Sequence, residues 1–345
     1  MDGLRAVAVV AVLVHHASAF LEPSWWGTVA PGGFLGVDLF MVLSGYLITM
    51  VLVAGGSERG WALRFYRNRA VRLVPALVGV LVVVGALEVT GLLTAEGEFA
   101  PSALAALFYV SNWAVMAGEA GFDHINHLWS LSVEEQFYIV WPVVLMVAGR
   151  RALPVALLGI VASAAWRAHL YDGVWLDVYS RTDARADAFL VGCCLALSPR
   201  LRRALSWGAT PGLLVFAAAV VWLARDDKVL YDGGFTVVAI ACAAMIAGVV
   251  ERGWGRLLLE RTVLVGIGVA SYGVYLWHFP VMRWIQLDLV WTGAGALALG
   301  ALITGALTAA SWWLVEVPAR RWRAPAQRSG STSSASARSS WASLR

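Results

Sequence analysis

Apolar runs long enough to cross a bilayer follow one another along almost the whole chain, interrupted by arginines at some junctions and carboxylates at others. Hydrocarbon offers no partner to a free amide or carbonyl, so runs of this kind fold as helices. Of the 345 residues, 60% are hydrophobic and only 14% charged, against about 25% charged in a soluble domain. The mean hydropathy is +0.72. These values exclude a soluble enzyme. The net charge of +4 does not suggest a nucleic-acid partner, because the basic residues, all arginine except Lys228, cluster at the ends of apolar runs. The fold expected is all-α: a polytopic transmembrane bundle of about ten spans with both termini cytoplasmic. Its partner is the lipid bilayer, and its place is the plasma membrane. No polar block is long enough for a second soluble domain, so residues 1–323 read as one membrane domain. Residues 324–345 read as a polar, disordered cytoplasmic tail. Cys193, Cys194 and Cys242 lie in apolar runs as packing residues, and no metal-ligand spacing is present.

Arginine placement sets the expected topology. Arg59, Arg64, Arg67, Arg69 and Arg72 fall within 55–73, which the positive-inside rule makes a cytoplasmic loop. The spans before it are 4–20 and 33–54, and the one after it is 73–93, with Pro75 at its start. Glu96 and Glu98 then mark an outer loop. Segment 101–117 is apolar, but a crossing there would put Arg150 and Arg151 outside, so it reads as re-entrant or interfacial. The remaining spans are 132–149, 153–170, 188–197, 213–223, 235–250, 263–285 and 290–315. Segment 171–187 is expected as an outer loop, and Asp226, Asp227 and Asp232 lie outside too. A cleaved signal peptide ending at Ala17-Ser18-Ala19 is a rival reading of the first run. Two histidines beside that site and the many following spans argue against it.

The densest polar cluster at any span entrance is His127-Leu-Trp-Ser-Leu-Ser-Val-Glu134-Glu135-Gln136-Phe-Tyr-Ile-Val-Trp141-Pro142. Ionisable groups at a span are expensive and are functional candidates by default. Interfacial anchoring accounts for Trp129, Tyr138 and Trp141, but not for one histidine, two glutamates and an amide crowded together. Arg5 and His16 are eleven residues apart, roughly 16 Å along a helix, so Arg5 sits at the inner surface and His16 in the outer half. Asp38, His127, Glu134, Glu135 and His278 fall in that outer half, whereas Arg64, Arg67, Arg69 and Arg72 gather at the inner mouth. Guanidinium forks there suit a polyphosphate ligand; simple retention of loop orientation explains the arginines equally well. A histidine oriented by a carboxylate deprotonates a hydroxyl, and acyl transfer to that hydroxyl also needs oxyanion donors. Gln136, Ser44, Tyr275 and backbone N–H groups are the candidates, and spacing does not choose among them. His15 and His124 read as structural, and His169 lies near an aqueous end.

Five landmarks occur in order: Asp2-Gly-Leu-Arg5 with His16 ten residues beyond; Gly36-Val-Asp38-Leu-Phe-Met-Val-Leu-Ser44-Gly-Tyr; Arg69-Ala-Val-Arg72-Leu-Val-Pro75; the His127–Pro142 stretch; and Ser271-Tyr-Gly-Val-Tyr275-Leu-Trp-His278. Together they resemble the integral-membrane acyltransferase 3 family, which includes O-antigen O-acetyltransferases and macrolide O-acyltransferases, over nearly the whole chain to about Trp322. The resemblance implies transfer of an acyl group, commonly acetyl from acetyl-CoA, to a hydroxyl of an extracytoplasmic glycan or a small molecule. It also implies functional roles for Arg5, His16, Arg69 and Arg72. The expected mechanism docks the CoA phosphates at Arg69 and Arg72 with Arg5. His16, oriented by Glu134 or Glu135, then activates the acceptor or takes the acyl group first, and His127 and His278 complete the catalytic candidates. Asp38, Ser44, Gln136 and Tyr275 are the substrate or oxyanion candidates.

The family usually has a few residues before the Asp-Gly-Leu-Arg segment, which leaves open a start upstream of Met1. Some members carry a carboxy-terminal esterase-like domain, so a second step is expected from a separate protein. Two rivals stand beside this reading. A transporter or flippase fits the buried charges but predicts paired broken spans, and none are visible. A non-catalytic relative fits the fold but not the complete set of landmark side chains.

Overall fold

The computed structural model of the protein describes residues 1–18, 30–55, 61–93, 97–117 and 123–322. Among the described residues every regular element is helical. In chain order they are α1 (Asp2–Ala17), α2 (Gly36–Gly55), α3 (Trp61–Val89), α4 (Phe99–Leu107), α5 (Ser111–Met116), α6 (Trp129–Ala148), α7 (Ala152–Leu170), α8 (Leu176–Tyr179), α9 (Thr182–Leu197), α10 (Pro199–Leu205), α11 (Ala209–Trp222), α12 (Phe235–Arg252), α13 (Arg256–Leu259), α14 (Thr262–Arg283) and α15 (Ala294–Ser311). A 3-10 turn, Asp123–Leu128, leads into α6, and π turns Trp284–Asp288 and Trp312–Glu316 follow α14 and α15. Among the described residues 7 helical stretches are long and apolar enough to cross a membrane. One of them, Asp123–Leu170, contains both α6 and α7, whereas α1 and α9, 16 residues each, fall short of that length. Apolar side chains such as Val82, Met146, Val147, Leu158 and Leu302 are exposed on outward faces, as lipid contact requires. The chain is therefore a multi-pass, all-helical membrane protein.

Two close crossings position the polar groups. A Cβ on Gly45 of α2 would strike the Phe189 carbonyl of α9, and one on Gly192 of α9 would strike the Val42 carbonyl of α2. In lipid, where burying apolar surface does not drive helix association, such small-residue contacts let backbones approach and gain dispersion energy. Asp38 meets Arg185 on the same two helices, so contacts advance together along both chains and α2 and α9 run parallel. The second crossing joins α1 and α14. Gly268 lies against the backbone of Asp2, and His16 lies against His278, so these helices are also parallel. Between the crossings lies a core of Leu4, Ala8 and Val12, Leu39 and Val42, Phe137 and Trp141, Phe189, and Cys242 and Met245. All three cysteines are free and buried.

The structure corrects several boundaries. The arginine-rich segment is not a loop throughout, because α3 begins at Trp61 and carries Arg64, Arg67, Arg69 and Arg72; Pro75 then lies inside the helix rather than at its start. Segment 171–187 is not wholly a loop either. α9 begins at Thr182, and Arg185 and Asp187 on it are completely buried. Segment 101–117 is divided between α4 and α5 by Tyr109, whose φ of 56° is unusual for a residue other than glycine. Neither half approaches the ~20 residues of a span. Arg59, Glu96, Arg323 and the tail 324–345 lie outside the described residues.

The α2–α9 contact makes a prediction. Gly45→Ala should lower the thermal unfolding midpoint of the detergent-solubilised protein by several degrees, since overpacking a tight contact costs about 1–3 kcal/mol. Gly79→Ala on α3, where nothing lies within 4 Å of the added carbon, should leave the midpoint unchanged or slightly raised, since alanine favours a helix interior over glycine. Equal midpoints for both variants would show that the crossing does not limit stability.

Candidate active site

His15 and His16 occupy the last turn of α1 and, as neighbours on a helix, point about 100° apart. His16 turns toward α14 and meets His278, with Nδ1 of His16 2.9 Å from Nε2 of His278. His15 turns the other way, toward Phe34 and Arg225. The tautomers follow from the partners. Nδ1 of His278 lies 2.7 Å from the carbonyl oxygen of Tyr275 and 3.1 Å from that of Val274. Carbonyls only accept, so His278 Nδ1 carries a proton and, in the neutral ring, Nε2 is an acceptor. His16 Nδ1 therefore donates to it, and the lone pair of His16 is left on Nε2. This orientation is the one a general base requires. His16, His127 and Tyr275 line one cleft.

His127 stacks on Phe279, with ring centroids 4.8 Å apart, and its ring centroid lies 5.5 Å from that of His278. Both its ring nitrogens are buried without a hydrogen-bond partner among the described residues. Tyr275 reaches the same corner, but its hydroxyl donates to the backbone carbonyl of His127 at 2.8 Å and pairs with Ser130 at 2.5 Å. Its proton thus holds the 3-10 turn against α14.

The two glutamates expected to orient His16 have a different partner. Arg69 reaches Glu135 with Nη2 at 2.5 Å and Nε at 2.9 and 3.0 Å, and Glu134 with Nη2 at 3.4 Å. Glu134 also accepts from Ser44 at 2.7 Å and Tyr138 at 2.8 Å, and the Arg69 guanidinium lies 3.2 Å from the Tyr138 ring centroid. Two carboxylates beside one guanidinium take its Nε and Nη2 donors. Arg72 is different. It is exposed and lies near enough to Arg5 and Arg69 for their charges to repel it. Arg5 pairs with Asp2, at 3.2 Å, and stays partly exposed.

Two further candidates have buried partners of their own. Gln136 accepts from Trp113 and Thr182 and donates to the Tyr109 carbonyl and Asn112. Every amide position is occupied, so Gln136 ties α5 and α9 to α6 and has no donor left for an oxyanion. Asp38 is wholly buried against Arg185, 2.7 Å away. A second buried pair, Arg167 with Asp187 at 2.9 Å, lies beside it and is bridged by Thr236. Sequence reasoning missed Arg167 and Arg225. The available signal was their position: both lie toward the end of the bundle that holds the histidines, where the charge pattern predicts few arginines. Among the described residues no three His, Cys, Asp or Glu side chains converge as a metal site.

An all-helical membrane bundle with a histidine relay in a cleft and arginines at the other end defines a class of membrane-embedded group-transfer proteins. A family model described as an acyltransferase domain matches residues 1–316, and the chain belongs to that family. It is 35% identical to the peptidoglycan O-acetyltransferase OatA of Listeria monocytogenes, an alignment covering 93% of this chain and 55% of that protein. It is 30% identical to the O-acetyltransferase OatA of Staphylococcus aureus, over 93% of this chain and 57% of that one. The chain thus spans about half the length of the curated relatives it matches. No solved structure matches it.

The Arg69 cluster yields a test that separates a structural from a ligand-binding arginine. Removing one partner of a buried ion pair typically costs about 3–5 kcal/mol, whereas replacing both with apolar groups is often neutral. Arg69→Met should therefore destabilise the protein strongly in chemical denaturation, and adding Glu135→Leu should restore more than half of the loss. No recovery in the double variant would show that the pair is not what Arg69 contributes.

Proposed function

We propose that the protein is a membrane O-acyltransferase that moves an acyl group, acetyl in the first instance, from acyl-CoA to a hydroxyl of a cell-envelope glycan. Peptidoglycan is the first acceptor to test, since the Listeria monocytogenes relative is a peptidoglycan O-acetyltransferase. The observation that carries the proposal is the hydrogen-bond chain from the Tyr275 and Val274 carbonyls through His278 to His16. It holds one basic nitrogen toward a cleft with no carboxylate in the relay. His16 Nε2 takes the proton of the acceptor hydroxyl, whose oxygen attacks the thioester carbonyl. The tetrahedral intermediate then expels the CoA thiolate, which leaves with the proton returned by His16. His278 holds the tautomer, the part a carboxylate plays in a serine-hydrolase triad.

The donor site we assign is narrower than the one expected from the sequence. Arg69 is engaged by glutamates, so Arg72 and Arg5 are the arginines we assign to the CoA phosphates, with Arg69 holding α3 against α6. The reading requires the histidines on the outer side and the arginines on the cytoplasmic side of the plasma membrane. The topology that supplies this has ten spans, α1, α2, α3, α6, α7, α9, α11, α12, α14 and α15, with both termini cytoplasmic.

The deciding measurement is transfer of label from radiolabelled acetyl-CoA in membranes containing the full chain. Label should enter an envelope fraction with wild type and fall to background with His16→Ala, since a positioned base supplies about 10²–10⁴ in rate. His278→Phe should lower kcat while leaving the KM for acetyl-CoA near its wild-type value. Arg72→Ala should do the reverse, raising KM several-fold. Substantial transfer by His16→Ala would remove the relay from the mechanism.

A further inference from the structure

The cleft that holds His16 also holds a charge that this mechanism does not use. Arg225, just beyond the end of α11, lines the same cleft. Its guanidinium carbon stands 4.9 Å from the ring centroid of Trp175, 5.2 Å from that of Tyr179 and 5.4 Å from that of Phe34. One Nη donates to His15 Nε2 at 2.5 Å, and Nε is buried without a partner among the described residues. Among the described residues no carboxylate lies within ion-pair distance of it. Asp227, two residues on, turns its carboxylate to the backbone N–H of Ala224 at 2.7 Å. The contrast with the other inward-facing arginines is direct, for Arg69, Arg167, Arg185 and Arg202 each have an acidic partner.

His15 does not neutralise this charge. A guanidinium only donates, so His15 Nε2 must accept, which requires a neutral ring. The aromatic faces offset part of the charge, but they leave the N–H edge unsatisfied. One guanidinium without a second cation beside it balances a monoanion; a phosphate dianion would be left half compensated. The spacing then suggests where the anion's carrier lies. The His15 and His16 rings are 5.5 Å apart, His15 accepts from Arg225, and His16 and Arg225 line the same cleft. Trp129 packs 4.9 Å from Tyr179 and completes an aromatic wall on which the apolar face of a sugar ring can lie.

We propose that the Arg225 box is the acceptor subsite and selects a saccharide bearing a carboxylate, which pairs with Arg225 while a hydroxyl of the saccharide reaches His16. Naming this ligand the acceptor rests on the acyl-transfer reading; its binding does not, and the test reads binding alone. The full chain in lipid nanodiscs is titrated with methyl β-glucuronide and methyl β-glucoside, which share a ring and differ in one carboxylate, with saturation-transfer NMR as the readout. Wild type should bind the uronide at least roughly tenfold more tightly, about what one charge-assisted hydrogen bond supplies. Arg225→Gln should bring the two affinities together, and Arg225→Lys, which keeps the charge, should retain a preference. Trp175→Ala should weaken both ligands alike. His16→Ala should keep the preference, so loss of transfer without loss of selection would count against the mechanism and not against this site. Equal binding of the two glycosides by wild type, no binding of the uronide, or an intact preference in Arg225→Gln would overturn the proposal.

Discussion

A charge inside a bilayer must bring its partner with it, and in this protein the partners decide which helices touch. Arg69 on α3 takes Glu134 and Glu135 from α6; Arg185 on α9 takes Asp38 from α2; Arg167 on α7 takes Asp187 from α9. Each pair spans two helices, and leaving either member alone would strand a buried ion at a cost well beyond one ordinary contact. Apolar packing against lipid offers little preference for one neighbour over another. The ion pairs and the glycine crossing at Gly45 and Gly192 supply that specificity, and the Asp38–Arg185 pair shares the α2–α9 interface with the crossing.

The histidines sit within this frame under a different rule. Their relay contains no carboxylate; it is anchored by backbone carbonyls one turn back along α14. Helix geometry alone therefore sets the tautomer of His278, and through it that of His16. The parallel crossing of α1 and α14, tight at Gly268 against Asp2, brings the two rings level at the far end. The position of the proton between His16 and His278 is thus traceable to a glycine more than two turns away.

Much of this is legible in the sequence. Apolar periodicity and arginine junctions define the class, and each expected span from 132–149 onward overlaps a helix of the structure, though α9 and α11 are short ones. His16, His127 and His278, expected at similar depth, lie together around one cleft corner. The partner of His16 is not legible, because spacing along a chain does not tell which of two polar groups at similar depth lies on the facing helix. Glu134 and Glu135 look free to orient a histidine only if Arg69 belongs to a loop. With α3 beginning at Trp61, Arg69 lies two turns inside a helix and needs those carboxylates. Gln136 and one oxygen of Asp38 likewise meet partners that the sequence does not announce. A buried polar side chain read from sequence carries no sign of whether its hydrogen bonds are already taken.

The arginines that oppose the general charge pattern are the informative ones. Arg167 and Arg185 lie near the histidine end, and each is cancelled by an aspartate at full burial. Arg225 lies at that end uncancelled among the described residues, in a cleft walled by aromatic rings. If it were only a topological marker it would belong at the opposite end; if it were only structural it would have a carboxylate. What distinguishes it from Arg69, Arg167 and Arg185 is that no carboxylate among the described residues pairs with it, and the cleft it faces is the one that holds His16.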